Sequence, residues 1–353
     1  MNPIDQAVPV RAGEELDRVA LETWLLGHVR DASGPLLIRQ FPHGHSNLNY
    51  LLDLGGRELV LRRPPAGAAP RLAHDVGREY RLLASLHPVW GKVPEPVAYC
   101  PDARVIGAPF LVTRRVRGLI LRQEAPAGWG AESFATLAGA FADTLASLHR
   151  IDPQLAGLGD IGQPMPAAAQ IDAWHRRYQA ARTPDSPELA ALLQWLRRRV
   201  PAPRGATLCH NDFKYDNLVL GPQSPDGIAA VLDWELATLG DPDADLGWTL
   251  ASWIEADDPP ALHAFGLTHL PGNPGRAELV QRYARAAGRA VEDPVFVYVA
   301  GLLRLAAVLQ QMYARFRRGE ADDARLERVI GLVHDVALQA DRAVRLDRLS
   351  TAG

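Results

Sequence analysis

A change of periodicity along the chain is the feature of this sequence that most restricts its fold. Between Leu36 and Thr113 most of the apolar residues come in short runs bounded by turn residues, as in β-strands. From Glu132 onward they recur at helical spacing, beginning with Phe134, Leu137 and Phe141. This order predicts an α+β protein in which a small antiparallel-sheet unit precedes a larger, mainly helical unit.

The strand-like runs predict five strands with one intervening helix. The predicted strands are Leu36–Phe41, Leu48–Leu54, Glu58–Arg63, Val97–Cys100 and Pro109–Thr113, and the predicted helices of this part are Glu14–Val29 and Asp75–Leu86. The helical part has one exception, because short β-type runs at Thr207–Leu220 and Ile228–Asp233 surround a loop dense in His, Asp, Lys and Asn. Loops of that composition typically carry function.

Charge and cysteine content exclude several classes of function. The 353 residues include 38 Lys and Arg against 41 Asp and Glu, so no basic field attracts nucleic acid or an anionic membrane. Two cysteines, Cys100 and Cys209, cannot form a disulfide framework or a zinc site on their own. The acidic residues near the N-terminus and the lack of a continuous apolar stretch there argue against a secretory signal. The apolar run Val295–Leu309 is interrupted by Arg304, which indicates a buried helix. We expect a cytoplasmic protein of two domains or two lobes.

The polar loop contains residues suited to phosphoryl transfer. A phosphate donor requires magnesium, which prefers carboxylate and amide oxygens, and Asn217 and Asp233 supply these at strand edges. A hydroxyl acceptor needs a carboxylate to take its proton, and Asp212 lies five positions before Asn217. Lys214, one of only two lysines, follows Asp212 by two residues and can neutralise the moving phosphoryl group. Each residue singly could be an ordinary turn former, but their combination and spacing favour catalysis.

The segment from His210 to Asp245 resembles the catalytic core of the aminoglycoside phosphotransferase (APH) family, relatives of the protein kinases. Within it, the stretches 212–217 and 231–246 resemble the phosphotransferase-like domains associated with acyl-CoA dehydrogenases, and the similarity extends over about Leu36 to Ser252. The resemblance implies a bilobal, protein-kinase-like fold with an N-terminal nucleotide-binding lobe at 1–114 and a C-terminal lobe at 115–353 that holds the catalytic loop and acceptor site.

The resemblance also implies roles for individual residues. Asp212 is then the catalytic base, with Lys214 beside it, and Asn217 and Asp233 are the metal ligands. Asp245 braces the catalytic loop. The family usually carries Gly where this chain has Asn211, which is its one departure in the loop.

The nucleotide site is assigned by the same resemblance to the first lobe. Arg62 lies where a kinase carries the lysine that holds the donor phosphates, and it would pair with Glu79 on the following helix. Two further groups are implied, one of phosphate-covering residues and one of main-chain groups for the adenine edge. They are Gly44, Ser46 and Asn47 for the phosphates, and Arg114 and Val116 for adenine.

Three other features are better explained by a structural role than by a functional one. His149 on an amphipathic helix is expected to be packed or capping, and the cluster from Trp174 to Tyr178 is typical of a core, with acceptor-pocket lining as the alternative. Glu235 could approach a second metal ion or the acceptor, but a structural role is the first interpretation.

Together these features predict a small-molecule kinase that transfers the γ-phosphate of ATP to a hydroxyl group with Mg²⁺. The kinship and the arginine-rich composition favour a hydroxyacyl-CoA as acceptor and a functional link to an acyl-CoA dehydrogenase, with aminoglycoside or choline as alternatives if the pocket is acidic. A nucleotide-binding pseudokinase with a regulatory or scaffold role is the alternative of another class. A protein kinase is disfavoured because Gly240-Asp241-Pro242 follows Asp233 too closely for an activation segment.

Overall fold

The computed structural model describes residues 6–42, 47–65, 74–202, 205–221, 227–320 and 323–350. The chain forms two compact units, each assembled from separate stretches of sequence. Unit 1 comprises Met1–Ile120, Pro153–Ile161 and Asn217–Ala237, and unit 2 comprises Leu121–Asp152, Gly162–Asp216 and Thr238–Gly353. A five-stranded antiparallel sheet lies in unit 1 and most of the helices lie in unit 2, which confirms the predicted α+β class.

Unit 1 contains all five predicted strands and both predicted helices. The elements are α1 Arg18–His28, β1 Leu36–Gln40, β2 Leu48–Leu54, β3 Arg57–Arg63, α2 Val76–Trp90, β4 Pro96–Cys100 and β5 Phe110–Arg114. The sheet order is β1-β2-β3-β5-β4, and its core joins Leu21 and Leu25 of α1 to Tyr50 and Phe110. The helix α1 begins four residues later than predicted because the Asp17 side chain accepts a hydrogen bond from the Ala20 N–H and caps the helix there.

A two-stranded hairpin completes unit 1, formed by β7 Leu218–Leu220 and β8 Ile228–Val231. Leu119 and Leu220 exchange backbone hydrogen bonds of 2.9 and 2.8 Å, and the Val231 N–H donates to the Lys92 carbonyl at 2.8 Å. Glycine permits the close approach, because a Cβ at Gly118 would lie 2.2 Å from the Leu220 carbonyl oxygen. The boundary drawn from the sequence after residue 114 assigned this hairpin to the second lobe, whereas these backbone bonds hold it in unit 1.

Unit 2 is mainly helical. Its helices are α3 Ala131–His149, α4 Ala167–Ala180, α5 Ala190–Arg198, α6 Pro242–Ser252, α7 Arg276–Ala287, α8 Pro294–Arg317 and α9 Val329–Leu346. A short antiparallel pair, β6 Thr207–Cys209 with β9 Thr238–Gly240, precedes the catalytic loop and α6 respectively. The helix α8 packs against α4, α6 and α9, and it crosses α6 so closely that a Cβ on Gly301 would lie 1.9 Å from the Gly247 carbonyl oxygen.

The long helix α8 also has the length and apolar composition of a membrane-spanning segment. Within unit 2, however, 72% of its most apolar window is buried against the rest of the protein. A mostly buried helix of this kind is typical of the core of a globular protein, as predicted for Val295–Leu309.

Candidate functional site

The loop after β6 holds Asp212, the predicted catalytic base, in a defined orientation within unit 2. Its Oδ1 accepts a hydrogen bond from Trp248 Nε1 at 2.9 Å, and its Oδ2 lies 3.5 Å from Lys214 Nζ. The Asp212 backbone N–H donates to His210 Nδ1 at 3.1 Å. Lys214 Nζ also lies 3.4 Å from Asp216 Oδ2, so the ammonium group bridges two carboxyl groups. The Asp212 side chain is 14% exposed, which leaves it accessible to a small molecule.

Asp245 braces this loop, as predicted. Its Oδ2 accepts a hydrogen bond from the His210 N–H and its Oδ1 accepts one from the Asn211 N–H, both at 2.7 Å. Oδ2 also lies 3.1 Å from Nε2 of His149, whose Nδ1 is 2.6 Å from the Tyr283 hydroxyl. Burial alone would raise the pKa of Asp245, but these partners hold it below its usual value. His149 is therefore a packed member of a buried network, as expected.

Asn211 has a backbone conformation that explains why this residue type stands in the loop. Its φ is +66°, in the left-handed region that glycine adopts freely and that asparagine tolerates better than most residues. Arg304 of α8 donates to the Asn211 carbonyl at 2.6 Å and to its side-chain oxygen at 3.2 Å. Burial lowers the pKa of Arg304 to about 10, so the guanidinium remains charged at neutral pH.

Trp248 and Arg304 contribute to the site although neither was assigned from the sequence. The Arg304 guanidinium carbon lies 4.2 Å from the Trp248 ring centroid and 5.2 Å from that of Trp174, so the arginine connects the two rings. Signals for both residues exist in the sequence. Trp248 follows Asp245 by three residues on α6, which places them on one helix face, and Arg304 interrupts an apolar run.

The predicted metal ligands, Asn217 and Asp233, lie at the same end of the β7–β8 hairpin in unit 1. Asn217 directly precedes β7, and its carbonyl accepts a hydrogen bond from the Leu232 N–H at 2.8 Å. Asp233 follows with a φ of +66°, so the chain turns sharply after β8. Asn217 is buried, whereas 35% of the Asp233 side chain remains exposed. The hairpin register therefore makes the two residues neighbours.

Arg62 contacts three carboxyl groups within unit 1. Its Nε lies 3.2 Å from Glu79 Oε2, which is the predicted ion pair, and its Nη2 lies 2.6 Å from Asp233 Oδ1 and contacts Glu235 Oε2. Burial would lower the pKa of Arg62, but the three carboxyl groups raise it. Burial raises the pKa of Glu79 to about 7, although Arg62 opposes this shift.

The oxygen donors around Arg62 fit a divalent cation. One guanidinium group contacts three carboxyl groups, two of them on almost fully buried side chains, so carboxylate oxygens are concentrated where solvent screens them poorly. Magnesium takes oxygen ligands from carboxylates and amides. Asn217 and Asp233 offer such oxygens at the hairpin end, and they are the residues that would hold Mg²⁺.

The other predicted nucleotide-binding residues have different surroundings. Asn47 joins the Arg62 cluster, because its Nδ2 donates to Glu235 Oε2 at 2.8 Å. The Arg114 N–H already donates to the Glu95 carbonyl at 2.8 Å, so this amide is occupied, and the following connection contains Val116, which is half-buried. Gly44 and Ser46 lie outside the described residues.

Comparisons with known proteins agree on one family. The chain matches the model of the phosphotransferase enzyme family, APH, over residues 37–294. Acyl-CoA dehydrogenase family member 10 of Mus musculus is 34% identical over 90% of this chain and 30% of its own length. Acyl-CoA dehydrogenase family member 11 of Gallus gallus is 33% identical over 88% of this chain and 41% of its own length. The chain thus spans less than half the length of these curated relatives.

Solved structures show the same fold. A protein of Ralstonia eutropha JMP134, assigned as an aminoglycoside phosphotransferase, has a TM-score of 0.79 and 30% identity, with 93% of this chain and 99% of that chain covered. The GDP complex of aminoglycoside 2'-phosphotransferase-IIIa has a TM-score of 0.63 and 17% identity, with 91% and 99% covered. These neighbours confirm the predicted kinase-like architecture. The chain therefore belongs to the APH phosphotransferase enzyme family.

Proposed function

We propose that this phosphotransferase uses ATP and Mg²⁺ to phosphorylate an alcohol group of a small molecule. The observation that carries the proposal is the setting of Asp212, whose carboxylate is held by Trp248 and Lys214 and remains accessible. A carboxylate so placed can take the proton of a hydroxyl group while the hydroxyl oxygen bonds to phosphorus.

In the proposed reaction the acceptor oxygen forms a bond to the γ-phosphorus of ATP, and the bond from that phosphorus to the bridging oxygen of ADP breaks. The hydroxyl proton passes to Asp212, and Lys214 offsets the charge of the transferred group. Arg62, oriented by Glu79, binds the donor phosphates in place of a lysine. Mg²⁺, when bound by Asn217 and Asp233, supplies further positive charge to the donor. A GDP complex among the solved neighbours makes GTP the alternative donor.

A hydroxyacyl-CoA is the acceptor that we favour. The curated relatives are named acyl-CoA dehydrogenases, and a shallow depression with about 330 Å³ of space, solvent included, lies beside the catalytic loop in unit 2. Its lining includes the aromatic residues Phe141, Phe213 and Trp253 and the charged residues Arg122, Lys214 and Asp216. The aromatic lining suits an acyl chain, and Arg122 and Lys214 are groups that can contact an anionic part of the acceptor.

The relatives also support a functional link between this chain and an acyl-CoA dehydrogenase, which would act on the same class of thioester. We also propose a cytoplasmic location, which the two buried free thiols, Cys100 and Cys209, support.

The test is an assay of ADP release against hydroxyacyl-CoA thioesters, aminoglycosides and amino alcohols. We expect turnover of a hydroxyacyl-CoA that stops when EDTA removes Mg²⁺. Asp212→Asn should lower kcat by about 10²- to 10⁴-fold, the usual contribution of a general base. The matched control, Asp341→Asn, changes an exposed carboxylate on α9 and should leave kcat unchanged.

Each alternative has its own result. Unchanged turnover by a folded Asp212→Asn protein would exclude Asp212 as the base, and turnover of aminoglycosides alone would exclude the thioester acceptor. Tight binding of nucleotide without turnover of any acceptor would favour the pseudokinase alternative.

A further inference from the structure

A second pocket of unit 2 has no part in the proposed reaction. It is an open depression with about 220 Å³ of space, solvent included, where α8 and α9 meet the start of α7 and the turn that follows α9. We call it the α9 pocket and define it by the polar residues of its lining: Asp258, Arg276, Tyr298, Gln339, Arg342, Arg348 and Ser350. None of the residues assigned above to catalysis or nucleotide binding lines it.

Gln339 is the first sign that the α9 pocket takes a ligand. The residue is only 3% exposed, yet neither its Nε2 nor its Oε1 has a hydrogen-bond partner among the residues that the structure describes. The great majority of buried side-chain amides in native proteins are hydrogen-bonded to protein or to ordered water. An amide that is buried, unpartnered and part of a pocket lining therefore indicates that a group from outside the chain supplies its partner.

The charges of the pocket indicate the sign of that group. Arg276 is neutralised internally, because it forms ion pairs with Asp258 and Glu255. Arg342 and Arg348 line the same pocket, and neither forms an ion pair with any residue that the structure describes. Since the carboxylate of Asp258 is fully buried against Arg276, the guanidinium groups of Arg342 and Arg348 leave the pocket positive.

Tyr298 adds a hydroxyl donor to the wall of the pocket. The Arg276 guanidinium carbon lies 4.6 Å from the ring centroid of Tyr298. Burial raises the pKa of Tyr298, so its hydroxyl keeps its proton at neutral pH. The pocket thus combines an amide N–H₂, a hydroxyl and two unpaired guanidinium groups, a donor set that suits an oxygen-bearing anion.

We propose that the α9 pocket binds a small oxyanion, in which a phosphate or carboxylate group accepts hydrogen bonds from Gln339 Nε2 and pairs with Arg342. The site is independent of the proposed kinase reaction, and neither depends on the other.

The test is thermal unfolding of the full chain at constant ionic strength with inorganic phosphate, malonate or chloride. Phosphate or malonate should raise the Tm in a saturable manner and chloride should not, because a ligand that binds only the folded state stabilises it. The phosphate and malonate arms distinguish the two kinds of oxyanion.

Variants locate the effect. Gln339→Leu keeps the size of the side chain and removes the unpaired amide, so the protein is expected to fold, and it should weaken the apparent affinity at least about tenfold, as should Arg342→Ala. Arg345→Ala is the matched control, because Arg345 is an exposed arginine on the same helix, paired with Asp341 at 2.7 Å, and it should retain the wild-type affinity.

Equal stabilisation of wild type and Gln339→Leu by the anions would overturn the proposal, as would the absence of a saturable effect of either anion. Crystals grown with selenate give a direct second readout. We expect an anomalous peak within hydrogen-bond distance of Gln339 Nε2, and a water molecule alone at that position would refute the oxyanion site.

Discussion

Replacing Asp245 with asparagine tests how strongly Asp245 stabilises the catalytic loop, because the substitution leaves the proposed reacting groups unchanged. The Asp245 carboxylate accepts backbone hydrogen bonds from His210 and Asn211 and lies against His149 Nε2. An asparagine side chain keeps one oxygen that can accept a hydrogen bond, but its N–H₂ group then faces one of the two backbone N–H donors. One hydrogen bond to a charged group, about 1.5–3 kcal/mol, is then lost, and one buried donor, about 1–3 kcal/mol, is left unpaired. We expect the free energy of unfolding to fall by about 3–5 kcal/mol.

Urea unfolding followed by tryptophan fluorescence measures this loss, with the exposed Asp341→Asn as a control that should stay within about 0.5 kcal/mol of wild type. The pH dependence adds a second criterion. Because the pKa of Asp245 is held below its usual value of 3.8, its ionised form contributes stability above that pH, and this contribution disappears as the pH falls. The difference between wild type and Asp245→Asn should therefore shrink in acid. A loss under about 1 kcal/mol, or a difference that is independent of pH, refutes the bracing role.

Three further predictions concern other parts of the molecule. Burial raises the pKa of Glu79 from 4.5 to about 7, so the stability of the wild type should decline as the pH rises across that interval, and thermal unfolding of Glu79→Gln should show no such decline. Trp248→Phe removes the 2.9 Å hydrogen bond to Asp212 and should lower kcat about tenfold without unfolding the protein; steady-state kinetics with an unchanged kcat would contradict this. Gly118→Ala places a Cβ 2.2 Å from the Leu220 carbonyl and should cost about 1–3 kcal/mol in urea unfolding, whereas wild-type stability would mean that the hairpin can shift.

Features encoded in local sequence could be predicted closely. The strands of the five-stranded sheet are short apolar runs bounded by turn residues, and each has the predicted position to within a residue or so at either end. The ion pair between Arg62 and Glu79 could be predicted from the resemblance to the kinases, which carry a basic residue and a glutamate at these two places. The same resemblance predicts Asp245 as the brace of the catalytic loop.

Features created by packing between distant segments could not be predicted in the same way. Residues 217–237 belong to unit 1, where their hairpin forms backbone hydrogen bonds with Lys92 and Leu119. Almost every residue type has the same backbone groups, so the sequence does not indicate which of them will pair. Trp248 and Arg304 act on the catalytic loop from two separate helices, and nothing in either helix alone identifies its partner. The start of α1 was misplaced because several acidic residues precede it and only the structure shows that Asp17 is the cap.

Arg304 gives the buried helix α8 an influence on activity that its composition does not suggest. Its guanidinium group holds the Asn211 carbonyl while the rest of the helix packs in the core of unit 2. A substitution that moves α8 by a fraction of an ångström, at a position remote from every reacting atom, would therefore displace the loop that presents Asp212. Random mutagenesis should consequently recover folded, catalytically altered variants along this helix, and such variants would offer a way to tune turnover while the reacting groups stay intact.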